Sequence, residues 1–200
     1  MPALRRADLD PDPIIQFERW FEVAAEAAPL AEAMTLATVD GDGAPDARMV
    51  LLKGFDRRGF RFFTNYESAK AVQLDTAGHA ALIVYWRELD RQVRVRGAVE
   101  RLGAEDSDEY FASRPRDSQL GAWASPQSRP LRDRAELDSR LAESEERFGF
   151  DGEVSRPPHW GGYRVVPDIV EFWQGQVGRL HDRFTYSRDA GGWQIERLGP

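Results

Sequence analysis

The sequence predicts a mainly β protein of the α+β class, an antiparallel barrel with flanking helices. Short segments that alternate apolar and polar residues recur along the chain, and turn signals such as GDG at 41–43 separate them. Helical segments are inserted among these strands without a repeating β-α-β order, which disfavours a doubly wound sheet. The length of 200 residues and the even composition predict one domain over 1–200, with a flexible N-terminal arm at 1–12.

The elements follow in order from their periodicity. From Pro13 to about Ala28, apolar residues recur every three or four positions, as in a helix with one buried face. The segment 80–86 is almost continuously apolar, as in a largely buried strand, whereas 91–102 alternates as a half-buried strand does. We expect further helices at 67–77, 105–113, 116–123 and 131–148. We expect the remaining strands at 34–40, 46–55, 59–65, 161–167, 168–175, 179–188 and 192–200.

Composition and charge exclude several classes of function. The chain has no cysteine, so disulfides and thiolate chemistry are excluded, and its three histidines are too scattered to indicate a metal site. Redox chemistry would therefore need a bound cofactor. The net charge of −7 disfavours nucleic acid as a partner, and no stretch is long and apolar enough to span a membrane. We expect a cytoplasmic protein that binds neither nucleic acid nor membranes.

The most informative segment is EFWQGQVGRLHDRF at 171–184. Arg179, His181 and Arg183 recur at every second residue of a predicted strand, so their side chains would share one face. A row of two guanidiniums and an imidazole would suit a flat anionic ligand. A solvated edge strand, where charges are common, explains the same pattern.

Two other segments carry cations where an anion could bind. In ARMVLLK, Arg48 and Lys53 are separated by an odd number of residues, so a regular strand would direct them to opposite faces. In TNYESAK, Ser68 and Lys70 lie in the first turn of a predicted helix, where free backbone N–H groups and the helix dipole favour a phosphate. Exposed strand charges and an ordinary helix cap explain the two patterns equally well.

The segment DEYFASRPRDSQLGAWASPQS indicates a second phosphate site. Pro115 ends one helix and suits the first position of the next, so Arg114 and Ser118 would lie near a helix N-terminus, beside Tyr110 from the preceding turn. This set suits a phosphate monoester, although an ordinary helix-helix corner would have the same sequence. Three tryptophans could stack on a flat ring or simply belong to the core, namely Trp123, Trp160 and Trp173.

Taken together, RMVLLK, FFTN…SAK, RQV, YFASRPRDSQLGAWASPQS and VEFWQGQVGRLHDRF closely resemble the pyridoxamine 5′-phosphate oxidase family, also called pyridoxine 5′-phosphate oxidase. The resemblance runs from about Asp8 to Pro200 with the motifs in matching order. It implies an FMN-binding split β-barrel and a homodimer with two flavin sites at the subunit interface, each built from both chains. It also implies oxidation of pyridoxamine and pyridoxine 5′-phosphate to pyridoxal 5′-phosphate, with O₂ as acceptor and H₂O₂ as product, in vitamin B6 biosynthesis or salvage.

The resemblance also implies roles for the matching residues. The implied FMN contacts are Arg48, Met49, Val50, Leu51, Leu52, Lys53, Phe63, Thr64, Lys70, Gln92, Gln127, Ser128, Trp173 and Arg183. The implied substrate contacts are Lys53, Tyr110, Arg114 and Ser118 at the phosphate, and Arg179, Leu180 and His181 at the pyridine ring, with Arg179 and His181 as the catalytic residues. The predicted anion sites then become one cofactor phosphate and one substrate phosphate.

The chain departs from the family pattern in two places. Ala69 stands where many members have an arginine, so one contact to the flavin phosphate is absent or supplied elsewhere, and the N-terminal arm is shorter than in some members. A second enzyme hypothesis is the related flavin oxidase of phenazine pathways, which typically lacks the Lys53 equivalent and the RPRDSQ segment. Two non-enzymatic hypotheses are a flavin- or haem-binding split barrel and a pyridoxal phosphate carrier.

Overall fold

The structure, a computed structural model, describes residues 3–200. These residues form nine strands and five α-helices in an order close to the predicted one. The helices are α1 Pro13–Ala27, α2 Ala69–Ala77, α3 Ala104–Ala112, α4 Arg116–Ala124 and α5 Arg134–Phe148. The strands are β1 Ala33–Val39, β2 Pro45–Leu51, β3 Gly54–Asp56, β4 Gly59–Asn65, β5 His79–Trp86, β6 Arg91–Arg101, β7 Trp160–Gln174, β8 Asp182–Asp189 and β9 Gly192–Leu198.

All pairings in the sheet are antiparallel, which confirms the predicted fold class. The strand order is β2-β1-β5-β6-β7-β4-β3, and β8 and β9 join through β7. Along its length β7 pairs with β6, while its other edge pairs first with β4, over 160–165, and then with β8, over 169–174. The sheet therefore divides at the middle of β7, and this division gives the barrel its split form.

A β-bulge lies at this division. The register between β6 and β7 shifts at Arg96 and Gly97, so that Asp168 has no paired residue opposite it on β6. A side chain at Gly97 would overlap the backbone, since an added Cβ would lie 1.9 Å from the carbonyl oxygen of Val166. The bulge also accommodates Pro167, which lacks an N–H for the ladder, and 161–167 and 168–175 thus form one strand rather than the two predicted.

The main core lies between α1 and the inner face of the sheet. Phe17 of α1 is fully buried, and its ring packs against the rings of Phe55, Phe60 and Trp86. A second, smaller core lies under α3, α4 and α5 and contains Phe111, Leu120, Val154 and Trp160. These two cores hold the helices in place, and the apolar periodicity of the sequence predicts this for α1.

Two predicted boundaries are wrong for identifiable reasons. The predicted strand 46–55 is divided into β2 and β3, because the backbone N–H of Leu52 bonds to Glu32 beside β1 while that of Lys53 bonds to Arg61 of β4. The part of the N-terminal arm that the structure describes is packed rather than flexible. Leu4 and Leu9 are buried, and the Tyr186 hydroxyl donates a 2.7 Å hydrogen bond to the carbonyl of Asp10.

The helices can also be compared with the length needed to cross a bilayer. Over residues 3–200, no helix is both long enough and apolar enough to cross a membrane. The longest helices, α1 and α5, have 15 residues each. About 20 apolar residues are needed for a helical span.

The bulge yields a prediction for stability. We expect Gly97→Ala to lower the free energy of unfolding by about 3 kcal/mol, because the new methyl group would overlap backbone atoms that cannot rotate away. Urea denaturation followed by circular dichroism measures this change. Gly41→Ala is the matched control, since an added Cβ there meets nothing within 4 Å, and its midpoint should stay close to that of the unaltered protein. Equal midpoints for the two variants would contradict the account of the bulge.

Candidate active site

A pocket of about 230 Å³ is lined by the end of β2, by β4, by the start of α2 and by the turn between α3 and α4. We call it the cationic pocket, because three of its residues are basic and none of the described residues that line it is acidic. The lining residues are Met49, Val50, Leu51, Lys53, Phe63, Thr64, Lys70, Tyr110, Arg114, Gln127 and Trp160. In a chain with a net charge of −7, this local excess of positive charge indicates an anionic ligand.

The choice of basic residue is itself informative. Lys53 and Lys70 are the only lysines among the 27 basic residues of the chain, and both line the cationic pocket. An ammonium group is a compact charge on a flexible stem, and it binds phosphate oxygens without the fixed fork of a guanidinium. Both lysines line the pocket, so we attribute them to anion binding rather than to surface solubility.

Lys70 is held in the first turn of α2 by uncharged partners. Its ammonium lies 2.7 Å from Oε1 of Gln127 and 3.3 Å from the hydroxyl oxygens of Thr64 and Ser68. Burial lowers the pKa of Lys70, and the nearby guanidinium of Arg48 lowers it further, while Asp46 opposes the shift. A phosphate at this helix start would offset the charge that burial disfavours.

Arg114 is the third cation, and its bonding is incomplete. One terminal nitrogen, Nη1, is buried and has no hydrogen-bond partner within residues 3–200. The guanidinium lies 4.6 Å from the centre of the Trp160 ring, and burial lowers the pKa of Arg114. A buried donor without an acceptor is costly, so an anion in the pocket would satisfy this nitrogen.

Aromatic rings form the floor of the pocket. The ring of Phe63 stacks on that of Tyr110 at 4.0 Å and on that of Trp160 at 5.5 Å. Trp160 also packs against Phe111 of the second core, so it serves as core and lining together. The sequence leaves Trp160 open between a ring-stacking residue and a core residue, and it is not among the predicted ligand contacts. The two glycines that follow it, Gly161 and Gly162, are the sequence signal for close packing at this point. A Cβ at Gly162 would lie 2.8 Å from the Phe63 ring.

The structure brings together many of the predicted site residues. Eight of the predicted FMN contacts line the cationic pocket, namely Met49, Val50, Leu51, Lys53, Phe63, Thr64, Lys70 and Gln127. Three of the four residues predicted at the substrate phosphate also line it, namely Lys53, Tyr110 and Arg114. Anion sites that the sequence placed in separate segments thus form one continuous site.

Other predicted residues lie nearby without lining the pocket. Arg48 bonds to Thr38 and Gln73 and forms an ion pair with Asp46. The side chain of Leu52 belongs to the main core. Two more are close in the chain to pocket residues: Ser128 is exposed with a left-handed φ of 69°, and Ser118 lies in the first turn of α4.

A second set of predicted FMN contacts lies across the sheet. Gln92 of β6 is paired with Trp173 of β7, which is paired with Arg183 of β8, so the three side chains share one face. The same face carries the exposed side chains of Met49 and Tyr85. None of Gln92, Trp173 and Arg183 lines the cationic pocket of its own chain.

The predicted row of Arg179, His181 and Arg183 on one strand is wrong. The strand begins only at Asp182, and the residues before it form a loop in which Gly178 and Arg179 have left-handed φ values of 72° and 63°. Two consecutive left-handed residues reverse the chain and end the alternation. Arg179 and Leu180 are exposed at the tip of this loop.

His181 is nonetheless held in one orientation. Its ring lies 4.7 Å from the ring of Trp173, and its Nδ1 accepts a 3.1 Å hydrogen bond from the backbone N–H of Gln176. Because a backbone N–H can only donate, Nδ1 carries no proton here, and the proton of a neutral ring lies on Nε2. The loop therefore offers an N–H donor from His181 together with the guanidinium of Arg179.

Known proteins resemble this chain over almost its whole length. Residues 22–148 match the family model described as pyridoxamine 5′-phosphate oxidase, and residues 160–200 match the model described as the pyridoxine 5′-phosphate oxidase C-terminal dimerisation region. Among similar curated proteins, a pyridoxine/pyridoxamine 5′-phosphate oxidase of Burkholderia multivorans is 57% identical, over 99% of this chain and 94% of that protein. One of Burkholderia cenocepacia is 55% identical over the same shares.

Solved structures show the same architecture. The crystal structure of PhzG from Burkholderia lata, in complex with tetrahydrophenazine-1-carboxylic acid, has a TM-score of 0.92 and 32% identity, and the match covers 100% of this chain and 99% of that one. A pyridoxamine 5′-phosphate oxidase-related, FMN-binding protein of Nostoc punctiforme has a TM-score of 0.73 and 18% identity, over 92% of this chain and 96% of that one. The second likeness concerns the fold alone.

The bonding of Lys70 yields a prediction for FMN. We expect Lys70→Met to weaken FMN binding about 10- to 100-fold, the loss of one charge-assisted hydrogen bond. The apoprotein should not lose stability, because burial disfavours the ammonium when no anion is bound. Flavin fluorescence titration and thermal denaturation of the apoprotein measure the two effects. The control is Arg129→Met, which removes an exposed cation paired with Glu67 outside the pocket.

The lowered pKa of Lys70 also predicts how the stability of the apoprotein depends on pH. The folded-state pKa of Lys70 lies below that of the unfolded chain, so at alkaline pH the unfolded chain binds more protons. The contribution of this group to stability therefore increases as the pH rises toward about 10.4, the ordinary pKa of lysine. Lys70→Met should remove that increase. An unchanged affinity for FMN in this variant would contradict the assignment of Lys70 to the flavin phosphate.

Proposed function

The chain belongs to the pyridoxamine 5′-phosphate oxidase family, with FMN as its cofactor, and from this premise we propose that it oxidises pyridoxamine and pyridoxine 5′-phosphate to pyridoxal 5′-phosphate. O₂ would accept the electrons and H₂O₂ would be released, in vitamin B6 biosynthesis or salvage. The observation that carries the proposal is the cationic pocket, where Lys70 and Arg114 both lack an anionic partner among the described residues. These two cations of one pocket suit a flavin phosphate and a substrate phosphate.

The residues present fit FMN. Lys70, the Ser68 and Thr64 hydroxyls and the start of α2 form a cradle for a phosphate, and Met49 to Leu51 offer backbone and apolar side chains beside it. Bound FMN would accept a hydride from the substrate carbon and pass the electrons to O₂. Ala69 supplies no charge, so the cation contributed by an arginine in many relatives would here come from Lys70 alone or from Arg48 nearby.

The substrate phosphate is assigned to the other end of the pocket. Arg114 has a buried N–H without an acceptor among the described residues, and Lys53 and Tyr110 line the same pocket. The stack of Tyr110 on Phe63 and of Arg114 on Trp160 holds these groups in place before any ligand binds. Such preorganisation lowers the entropy lost when the substrate is oriented for reaction.

The loop with Arg179 and His181 is proposed to hold the substrate ring. The Nε2–H of His181 would donate to an oxygen or nitrogen of the pyridine, and the guanidinium of Arg179 would stabilise negative charge that develops as a proton leaves the substrate. Both groups align the substrate and do not themselves accept electrons. Leu180 would cover the ring with apolar surface.

A homodimer would complete each site. The match of residues 160–200 to a dimerisation region supports this assembly. The sheet face that carries Gln92, Trp173 and Arg183 also exposes Met49, which lines the cationic pocket. If two copies meet through this face, residues that are remote from the pocket of their own chain can reach the flavin of the other chain.

The likeness to PhzG supports a second candidate, oxidation of a tetrahydrophenazine carboxylic acid. The cationic pocket favours the first proposal, because Lys53 and Arg114 provide a second anion site of the kind that a phosphorylated substrate needs. The higher identity to pyridoxine/pyridoxamine 5′-phosphate oxidases, 57% against 32%, points in the same direction.

The deciding experiment is an aerobic assay of the FMN-loaded protein with pyridoxamine 5′-phosphate, pyridoxine 5′-phosphate and tetrahydrophenazine-1-carboxylic acid. We expect pyridoxal 5′-phosphate and H₂O₂ from the first two. Arg114→Ala should raise KM for the phosphorylated substrates about 10- to 100-fold, since one charge-assisted contact is lost. Arg134→Ala, which removes an exposed cation on α5, is the control. Turnover of the phenazine alone would refute the proposal.

Arg179 should affect a different kinetic constant. We expect Arg179→Ala to lower kcat about 10- to 100-fold while FMN content stays unchanged, because this exposed loop residue does not line the cationic pocket. Steady-state kinetics and the flavin absorbance of the same samples provide both quantities. Full activity with intact flavin would reject a role for Arg179 in the reaction.

A further inference from the structure

A buried carboxylate lies at the base of the loop that carries Arg179 and His181. Asp182, the first residue of β8, is only 2% exposed, and both of its oxygens accept hydrogen bonds. Oδ2 accepts from the backbone N–H of Leu4 at 3.0 Å and from the side-chain amide of Gln176 at 2.9 Å. Oδ1 is paired with the guanidinium of Arg197 from β9. Asp182 thus joins the N-terminal segment, the loop and the last strand.

Gln176 connects this carboxylate to the histidine. Its side chain bonds to Asp182, and its backbone N–H bonds to Nδ1 of His181 at 3.1 Å. The carboxylate therefore holds the side chain of Gln176, and the backbone N–H of Gln176 fixes the orientation of the imidazole and the nitrogen that carries its proton. Asp182 reaches His181 through one intervening residue, although the two are adjacent in sequence.

The loop needs such an anchor, because its outer half has little packing. Val177 is 94% exposed and Leu180 71% exposed. Arg179 has a left-handed φ of 63°, a conformation that is strained for a residue other than glycine. A loop with exposed apolar residues and a strained backbone keeps a single shape only when contacts at its ends determine it.

We propose that Asp182 is the positioning residue of this loop: its carboxylate holds Gln176 so that His181 presents Nε2–H, and Arg179 its guanidinium, to the substrate. The inference rests on the proposed function for the role of the two residues, but the tautomer of His181 can be observed independently of any reaction. Asp182 itself touches neither pocket nor loop tip, so its effect is transmitted through Gln176.

The chemistry of the three donors explains why the residue is an aspartate. Leu4, Gln176 and Arg197 all present N–H groups, and a carboxylate accepts from all of them with two oxygens. An asparagine has the same shape, but its amide nitrogen donates and cannot accept from any of them. Asp182→Asn therefore leaves at least one of the three donors facing an amide nitrogen instead of an acceptor, and it removes the negative charge, without changing the volume of the side chain.

The experiment measures this variant as FMN-loaded enzyme. We expect Asp182→Asn to lower kcat at least tenfold, while KM and FMN content each change less than threefold. Asp189→Asn is the matched control, because Asp189 ends the same strand but bonds only near its own turn, to Gly191 and Gln194. It should behave as the unaltered enzyme. A kcat within twofold of the unaltered enzyme for Asp182→Asn would overturn the proposal.

Nitrogen NMR of histidine-labelled protein gives the second readout. The chain has three histidines, so His181 can be assigned with His79→Gln and His159→Gln variants. In the unaltered holoprotein the His181 signals should show an unprotonated Nδ1 and a protonated Nε2, and Asp182→Asn should replace this pattern by a mixture of tautomers. An unchanged pattern in Asp182→Asn would also overturn the proposal.

Gln176→Leu keeps the test decisive if Asp182→Asn does not fold. It removes the amide that meets the carboxylate, and it should reproduce both the fall in kcat and the mixed tautomers. In the double variant the two losses of kcat should not add, because both act through one connection. If the protein oxidises no phosphorylated vitamer but the tautomer responds as described, the proposed function fails while the positioning role stands.

Discussion

The fold depends on β7 and on the bulge at its centre. This strand keeps β6 on one edge throughout, while its other edge changes partner from β4 to β8 on either side of residues 166–168. This change of partner requires β7 to bend while it keeps its hydrogen bonds to β6. Gly97 permits the bend, because the carbonyl of Val166 occupies the space of a side chain there. This single strand therefore positions both halves of the barrel. It positions the cationic pocket through β4 and the loop with Arg179 and His181 through β8.

The cationic pocket holds two positive charges, on Lys70 and Arg114, in surroundings that disfavour them, and an anionic ligand would remove this free-energy cost. Lys70 is surrounded by neutral oxygens, and Arg114 has a buried nitrogen without an acceptor within the described chain. Both arrangements disfavour the charged form, as the lowered pKa values of the two residues indicate. Other guanidiniums are paired with carboxylates, for example Arg101 with Asp75 and Arg183 with Glu171. Lys70 and Arg114 have no acidic partner among the described residues, and the binding of anions would convert this cost into affinity.

Most elements follow from the sequence because they are set by local periodicity. The strand 59–65 and the start of α4 at Arg116 agree with the prediction, and the family resemblance is confirmed by the matching models. The loop before β8 could not be predicted, because alternation of charges cannot reveal that Arg179 adopts a left-handed backbone. The separation of Gln92, Trp173 and Arg183 from the pocket is also invisible in sequence, since it depends on how far the sheet extends within one chain.

For an enzyme that releases pyridoxal 5′-phosphate, as proposed above, the distribution of lysine has a consequence for product release. Pyridoxal 5′-phosphate is an aldehyde, and aldehydes condense with unprotonated amines, whereas guanidinium groups stay protonated at neutral pH. Apart from Lys53 and Lys70, every basic side chain that could carry a fixed positive charge is an arginine. A released aldehyde would therefore meet no lysine side chain outside the pocket that could trap it as an imine.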